Sequence, residues 1–241
     1  YHHFDVLGDS DAPPPEITVR VCDSLSCEMA GAQDLIAKLR ADFGDSVRIL
    51  AAPCMGACDR APAAVVGQNP VFAATPARIA ETVQKKETAA PVPGHVDYDT
   101  YLLEAGFTIL KDCLEGRLTR ETVVSRMEQS ELRGLGGAGF PTGRKWKIVS
   151  GFAKPRLMAV NADEGEPGTF KDRCFLETDP YRFLEGVLIG MWAVEADDCY
   201  IYLRDEYPAA RRILLDAIAK LEKTDLLEPG KVHLRRGAGA Y

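Results

Sequence analysis

Four of the seven cysteines fall in two close pairs, Cys22-x4-Cys27 and, after 26 intervening residues, Cys54-x3-Cys58. Four thiolates are a donor set for a [2Fe–2S] cluster, each iron taking two protein sulfurs. The same soft ligands would accept zinc. Structural zinc sites favour two Cys-x2-Cys knuckles, however, and neither pair has that spacing. Cysteines packed as small hydrophobes are the bland alternative, which suits one or two of them and suits two close pairs poorly. A [2Fe–2S] centre on Cys22, Cys27, Cys54 and Cys58 is the expectation, with zinc or no metal as the alternatives.

A second set of residues suggests nucleotide chemistry. Gly134-Leu135-Gly136-Gly137-Ala138-Gly139 satisfies the string G-x-G-x-x-G, but a dinucleotide fingerprint must follow a strand and open a helix. Here residues 126–133 are polar and helix-like, and Phe140-Pro141-Thr142-Gly143 is not expected to continue as a first helical turn. Glycines packed this densely let the backbone lie against a ligand and aim N–H groups at it. Lys145 could meet a phosphate, with Arg144 in reserve. Next, the apolar run 157–160 delivers Asn161, Asp163, Glu164 and Glu166 into one loop. Ligands of α/β sheets bind beyond the carboxyl ends of strands, where an amide can pair with a heterocycle edge and acids can accept from hydroxyls. An ordinary surface loop and a solvated acidic turn are the competing readings of the two stretches.

The elements needed to position these residues are legible as an α/β pattern. Residues 16–21 alternate as a strand ending at Cys22. Residues 27–43 place Met29, Leu35, Ile36, Leu39 and Phe43 at helical spacing, and Gly44 stops the helix. A strand over 46–51, a hairpin around residues 67–70 and a helix from Thr75-Pro76 to about Lys86 complete the unit. Residues 87–96, with two prolines and a glycine, form a linker. The second domain begins near Asp97 with helices over 107–114 and 120–129. It continues with strands over 156–160, 199–203 and 232–234 and helices over 180–194 and 208–221, each helix with Pro near its start. Packing roles are expected for Cys113, Cys174 and Cys199.

Bulk properties narrow the class. The 241 residues carry a net charge of -7 and are 46% hydrophobic, so neither nucleic acid nor an anionic membrane is favoured as a partner. No apolar run reaches bilayer length and no signal peptide opens the chain. A cytoplasmic location is expected, where thiols stay reduced. The chain opens on Tyr1-His2-His3-Phe4 without Met and stops at Gly237-Ala238-Gly239-Ala240-Tyr241 after a strand pattern. It is therefore expected to be a fragment lacking material at both ends.

Val21-Cys22-Asp23-Ser24-Leu25-Ser26-Cys27 together with Pro53-Cys54-Met55-Gly56-Ala57-Cys58-Asp59-Arg60-Ala61-Pro62 resembles the thioredoxin-like [2Fe–2S] ferredoxins, above all the two-iron subunit of complex I. Residues 98–241, carried by the glycine loop, the acidic loop and Tyr200-Ile201-Tyr202-Leu203-Arg204-Asp205-Glu206-Tyr207, resemble the FMN- and NADH-binding flavoprotein subunit. The implied organisation is a remnant of a preceding helical segment (1–15), a thioredoxin-like [2Fe–2S] domain (16–86), the linker (87–96) and an FMN/NAD-binding domain (97–241) incomplete at its C-terminus. The resemblance implies that Gly134, Gly136, Gly137, Lys145, Asn161, Asp163, Glu164 and Tyr241 contact FMN, and that Phe140 and Glu166 contact NAD(H). No catalytic side chain is implied, because the hydride passes at bound FMN. A [4Fe–4S] cluster is expected beyond Tyr241. Leu135 stands where the complex I form commonly has Arg, and Gly165 where it has Ser.

The fused order looks most like the β subunits of soluble NAD-dependent formate dehydrogenases. This implies a larger multi-cluster catalytic partner bearing molybdenum or tungsten. Subunits of NAD-reducing hydrogenases and of respiratory NADH:quinone oxidoreductases are the alternatives. A non-catalytic iron–sulfur or zinc scaffold is the reading from another class.

Overall fold

The computed structural model describes residue 8, residues 12–135 and residues 137–238. Gly136 and Tyr241, and most of the segment 1–15, therefore lie outside the described residues.

The N-terminal unit is built on a four-stranded sheet of order β2-β1-β3-β4. β1 (Thr18–Cys22) buries Val19 and Val21 and leaves Thr18 and Arg20 half-buried, as its alternation predicts. β2 (Arg48–Ala52) runs parallel to it, with Cys22 level with Ala52. β3 (Ala64–Val66) and β4 (Asn69–Val71) form the expected hairpin, antiparallel on the other side of β1. The stretch expected as one helix is two: α1 (Leu25–Met29) and α2 (Ala32–Phe43). They part at Gly31, whose φ of 88° is open to glycine and costly for other residues. Met29 is correspondingly 82% exposed rather than in the core, while Leu35, Ile36 and Leu39 pack on the sheet. α3 (Pro76–Gln84) starts as predicted, the Thr75 hydroxyl accepting from the Arg78 amide.

The C-terminal unit carries a three-stranded parallel sheet, β5 (Leu157–Ala162), β6 (Asp198–Leu203) and β7 (Val232–Arg236). Before it come α4 (Tyr98–Leu103), α5 (Thr108–Leu114), α6 (Arg120–Gln129) and α7 (Thr142–Ser150). α8 (Lys171–Thr178) and α9 (Pro180–Val194) connect β5 to β6, and α10 (Pro208–Leu221) connects β6 to β7. Leu184 and Leu188 of α9, Ile201 and Leu203 of β6, and Leu214 and Leu221 of α10 make the shared core. Burial of each such side chain contributes roughly 1.5–3 kcal/mol. α7 follows the glycine loop directly, which corrects the expectation that Phe140-Pro141-Thr142-Gly143 would not lead into a helix. Pro141 serves as its N-cap, and proline is tolerated where the backbone N–H has no helical partner. Helix α6, not a strand, still precedes the loop, so the Rossmann arrangement is absent. Among the described residues no helix is long and apolar enough to cross a membrane.

Of the three remaining cysteines, Cys113 and Cys199 are buried as expected. Cys174 is exposed on α8, so its expected packing role is corrected.

Candidate redox centre and flavin cleft

Because β1 and β2 are parallel and in register, their C-terminal ends open on the same side of the sheet. Cys22 ends β1, Cys27 lies on α1, and Cys54 follows β2 in a loop that turns at Gly56 to reach Cys58. The loop bends tightly enough to put Cys54 Sγ 3.3 Å from Cys58 Sγ. Cys22 lies within hydrogen-bonding reach of both Cys27 and Cys54. The thiols thus form one chain, Cys27–Cys22–Cys54–Cys58, with the first three almost wholly buried. A hydrogen bond from Cys22 lowers the Cys27 thiol to about 7. Donation to Cys22, with burial, raises the Cys54 thiol.

That donor set fits a two-iron cluster. Four soft sulfurs, three of them buried, meet pairwise, and backbone amides point at two of them. The Gly56 N–H donates to Cys54 Sγ at 3.4 Å and the Gly168 N–H to Cys58 Sγ at 3.2 Å. Amide hydrogen bonds to sulfur accompany metal-bound thiolates and tune the centre they hold.

The Gly168 contact crosses between the two sheets' units, and it is one of several. Arg204, 3% exposed at the end of β6, donates through Nη2 to the Cys54 carbonyl and through Nη1 to the Glu164 carbonyl. Its Nε reaches Glu206 at 3.0 Å. Arg173 Nε donates to the Gly56 carbonyl at 3.0 Å. Tyr207 packs beneath Gly56 and donates from its hydroxyl to Glu164 Oε2 at 3.0 Å. Arg173, Arg204 and Tyr207 were given no role by sequence reasoning. The available signal was that an apolar strand ends in Arg204-Asp205-Glu206-Tyr207, beside the strand that ends in the acidic loop.

The acidic loop divides its residues between two faces. Asn161 is exposed, and its Oδ1 accepts from the Asp163 amide at 3.0 Å. Glu164 points the other way. Its carboxylate accepts from the amides of Asp172 and Arg173 at the start of α8, from Lys171 Nζ at 3.1 Å and from Tyr207. Burial pushes this carboxyl up, but those hydrogen bonds more than offset it and hold it below the usual range. Glu164 therefore anchors the loop on α8 and the seam. Asp163 is raised, chiefly by burial. Glu166 is exposed.

On the opposite side, the glycine loop borders a cleft of about 880 Å³. Gly134, Phe140, Lys145 and Trp146 line one wall, and Met158, Val160 and Gly186 line the other. The loop is closed by a hydrogen bond from the Gly134 N–H to the Phe140 carbonyl at 3.0 Å and by Arg133 donating to the Gly139 carbonyl. Gly137 and Gly139 have φ of 113° and 59°, conformations that leave their amides free of helical pairing. A neighbouring groove of about 560 Å³ contains Asn161 and shares Val160, Arg182 and Phe183 with the cleft. Gly134, Phe140 and Lys145 thus line the cleft and Asn161 the adjoining groove, while Asp163, Glu164 and Glu166 line neither.

Comparisons with known proteins match two segments of the chain. Residues 1–87 match the family described as thioredoxin-like [2Fe-2S] ferredoxin, and residues 127–241 match the Nuo51 FMN-binding domain. The F subunit of the NADH-quinone oxidoreductase of Aquifex aeolicus is 43% identical over 151 residues, covering 59% of this chain and 35% of that protein. The F 2 subunit of the Rhizobium meliloti NADH-quinone oxidoreductase is 43% identical over 157 residues, covering 61% of this chain and 37% of that protein. The chain thus spans little more than a third of the length of these relatives. A crystal structure of an NAD+-reducing [NiFe]-hydrogenase in the H2-reduced state superposes with a TM-score of 0.78 at 28% identity, covering 95% of this chain and 44% of that one. The chain joins a thioredoxin-like [2Fe–2S] ferredoxin domain to a Nuo51-type FMN-binding domain, and its cofactors are a [2Fe–2S] cluster and FMN.

Proposed function

We propose that this chain is the NADH-oxidising, diaphorase-type module of a larger cytoplasmic oxidoreductase. The observation that carries the reading is the joint one: a four-thiol centre and a glycine-loop cleft in one chain, with the thiol centre hydrogen-bonded through Cys58 to Gly168 of the acidic loop. Cys22, Cys27, Cys54 and Cys58 hold the cluster. Backbone around Gly134, Gly136 and Gly137 lines the flavin, Lys145 meets its phosphate, and Asn161 and Tyr241 complete its site, while Asp163 and Glu164, which do not line the cleft, hold the loop that presents Asn161. Phe140 stacks on the nicotinamide nucleotide and Glu166 accepts a hydrogen bond from it. FMN held there would supply the conversion of a single two-electron hydride transfer into one-electron steps. The side chains named here bind, orient and exclude water, and none is needed to move a proton.

Within this class we favour the β subunit of an NAD-dependent formate dehydrogenase, with a molybdenum- or tungsten-bearing α subunit as partner and a [4Fe–4S] cluster elsewhere in the complete protein. The support is the fused domain order and the motifs Arg133-Gly134-Leu135-Gly136 and Asn161-Ala162-Asp163-Glu164-Gly165-Glu166. A hydrogenase diaphorase is the second reading, favoured by the superposition that spans 95% of this chain. The test is purification of the complete subunit with its natural partners, followed by NADH-dependent ferricyanide reduction. Activity with bound FMN, iron and acid-labile sulfide is the expected result, and flavin bound without such activity would refute the hydride role. NAD+ reduction by formate or by H2 then separates the two readings.

A further inference from the structure

We propose that Arg204 is a positioning residue for the cluster: it clamps the Cys54–Cys58 loop to the acidic loop and so sets the cluster's reduction potential from the flavin-binding domain. The inference rests on Cys22, Cys27, Cys54 and Cys58 being the cluster ligands.

A buried guanidinium is costly unless its charge is paired and its donors are filled. Glu206, with a side chain 4% exposed, neutralises Arg204 through Nε. The two terminal nitrogens are then directed at uncharged acceptors in different domains, the carbonyls of Cys54 and Glu164. Those acceptors are 110 residues apart in sequence, and both lie in loops that end at one hydrogen bond, from the Gly168 amide to Cys58 Sγ. Arg173 holds the middle of the cysteine loop through the Gly56 carbonyl. Arg204 thus fixes the first residue of that loop and the first half of the acidic loop, and the Gly168–Cys58 contact follows from the two fixed points. An N–H···S bond stabilises the more negative, reduced cluster and raises its potential. Only a planar fork reaches two carbonyls while paired at Nε, so lysine, a point charge on a flexible stem, should not substitute.

The experiment is a potentiometric titration of the complete, cluster-loaded subunit, followed by EPR of the reduced two-iron signal. Proton hyperfine spectra in H2O and D2O accompany it. Arg204→Gln and Arg204→Lys should both lower the midpoint, by a tenfold change in the reduction equilibrium or more, about 59 mV for one electron. Both should also weaken one exchangeable proton coupling. A wild-type midpoint in Arg204→Lys would mean that charge alone matters and would overturn the positioning role. Wild-type midpoints in both variants would leave Arg204 purely structural and overturn it as well. If neither variant retains iron, Glu206→Asp decides: it keeps the charge but shortens the grip on Nε, and should lower the midpoint in the same direction. An unmoved midpoint there overturns the proposal. Absence of any two-iron signal in the wild-type subunit would instead refute the ligand assignment.

Discussion

Gly56→Ala tests the seam between the two domains most directly. Gly56 has a φ of 65°, and a Cβ built on it would lie 2.2 Å from Tyr207 Oη, 2.7 Å from Cε1 and 2.8 Å from Cζ. The left-handed conformation alone costs an alanine roughly 1–2 kcal/mol. The Cβ cannot be accommodated unless Tyr207 moves, and Tyr207 is 1% exposed with its hydroxyl committed to Glu164. Breaking that bond leaves a buried carboxylate one donor short, worth about 1–3 kcal/mol. The sum, about 2–5 kcal/mol, is a large fraction of a typical domain's stability. The assay is a double-mutant cycle in urea with Tyr207→Leu, which removes all three clashing atoms. Gly56→Ala should cost at least about 1 kcal/mol less in that background, since contacting residues couple by roughly 0.5–3 kcal/mol. Additivity within about 0.3 kcal/mol, the behaviour of distant sites, would refute the packing of Tyr207 under the cysteine loop.

Three further outcomes are expected. Glu185→Ala should destabilise the second domain by about 3 kcal/mol, read from the urea midpoint, because its buried carboxylate accepts from Tyr101 Oη at 2.5 Å and from the amides of Phe107 and Leu110; an unchanged midpoint would show those donors to be satisfied otherwise. Glu164 has a folded-state carboxyl held below its ordinary value of 4.5, so its contribution is complete above that value and is lost as pH falls through the lower, folded one. The stability gap between wild type and Glu164→Gln should therefore narrow on acidification below about pH 4.5, and a gap constant across pH would contradict the network around it. Iodoacetamide should modify Cys174 before Cys113 or Cys199 in the folded chain, since Cys174 is exposed and burial pushes the Cys199 thiol up to about 11; peptide mapping that finds Cys199 modified equally fast would count against the core around β6.

What the sequence revealed and what it hid follow from the range of the interactions. Strand ends, hairpin and helix starts depend on neighbours a few residues away, and Cys22, Thr75, Pro180 and Pro208 were placed from local pattern alone. The helix expected over 27–43 failed for a local reason of the other kind. Hydrophobic spacing counted Met29 as core, whereas the left-handed Gly31 breaks the period and turns Met29 to solvent. Gly143 was read only as the end of a segment, Phe140-Pro141-Thr142-Gly143, not expected to continue as a helical turn. Its Cβ would lie 2.4 Å from the Glu128 amide nitrogen, so it is the point where α7 crosses α6 at close range. Glycines close together in sequence thus meet two demands, open backbone beside the cleft at Gly134 and Gly139 and a tight helix crossing at Gly143, and the motif match covers only the first.

The seam was the least legible part, because its bonds join residues 110, 117 and 150 positions apart. The same contacts change the meaning of the proline-rich segment 87–96. Composition alone makes it a tether, yet its two ends are stitched down: the Gln68 amide donates to the Thr88 carbonyl at 2.7 Å, and the Val96 amide to the Thr178 carbonyl at 2.9 Å. Between them, Ala90, Pro91 and Pro93 line a cavity of about 180 Å³ together with Met55, Arg173 and Glu177. Prolines fix φ and so lose little entropy on being laid down in a set path. A segment of this kind serves the seam by limiting the orientations from which Arg204 and Arg173 must find the cysteine loop. Under the proposed function, electron transfer between the cleft and the thiol centre would depend on that orientation being held, which gives the linker a part in the seam beyond that of a tether.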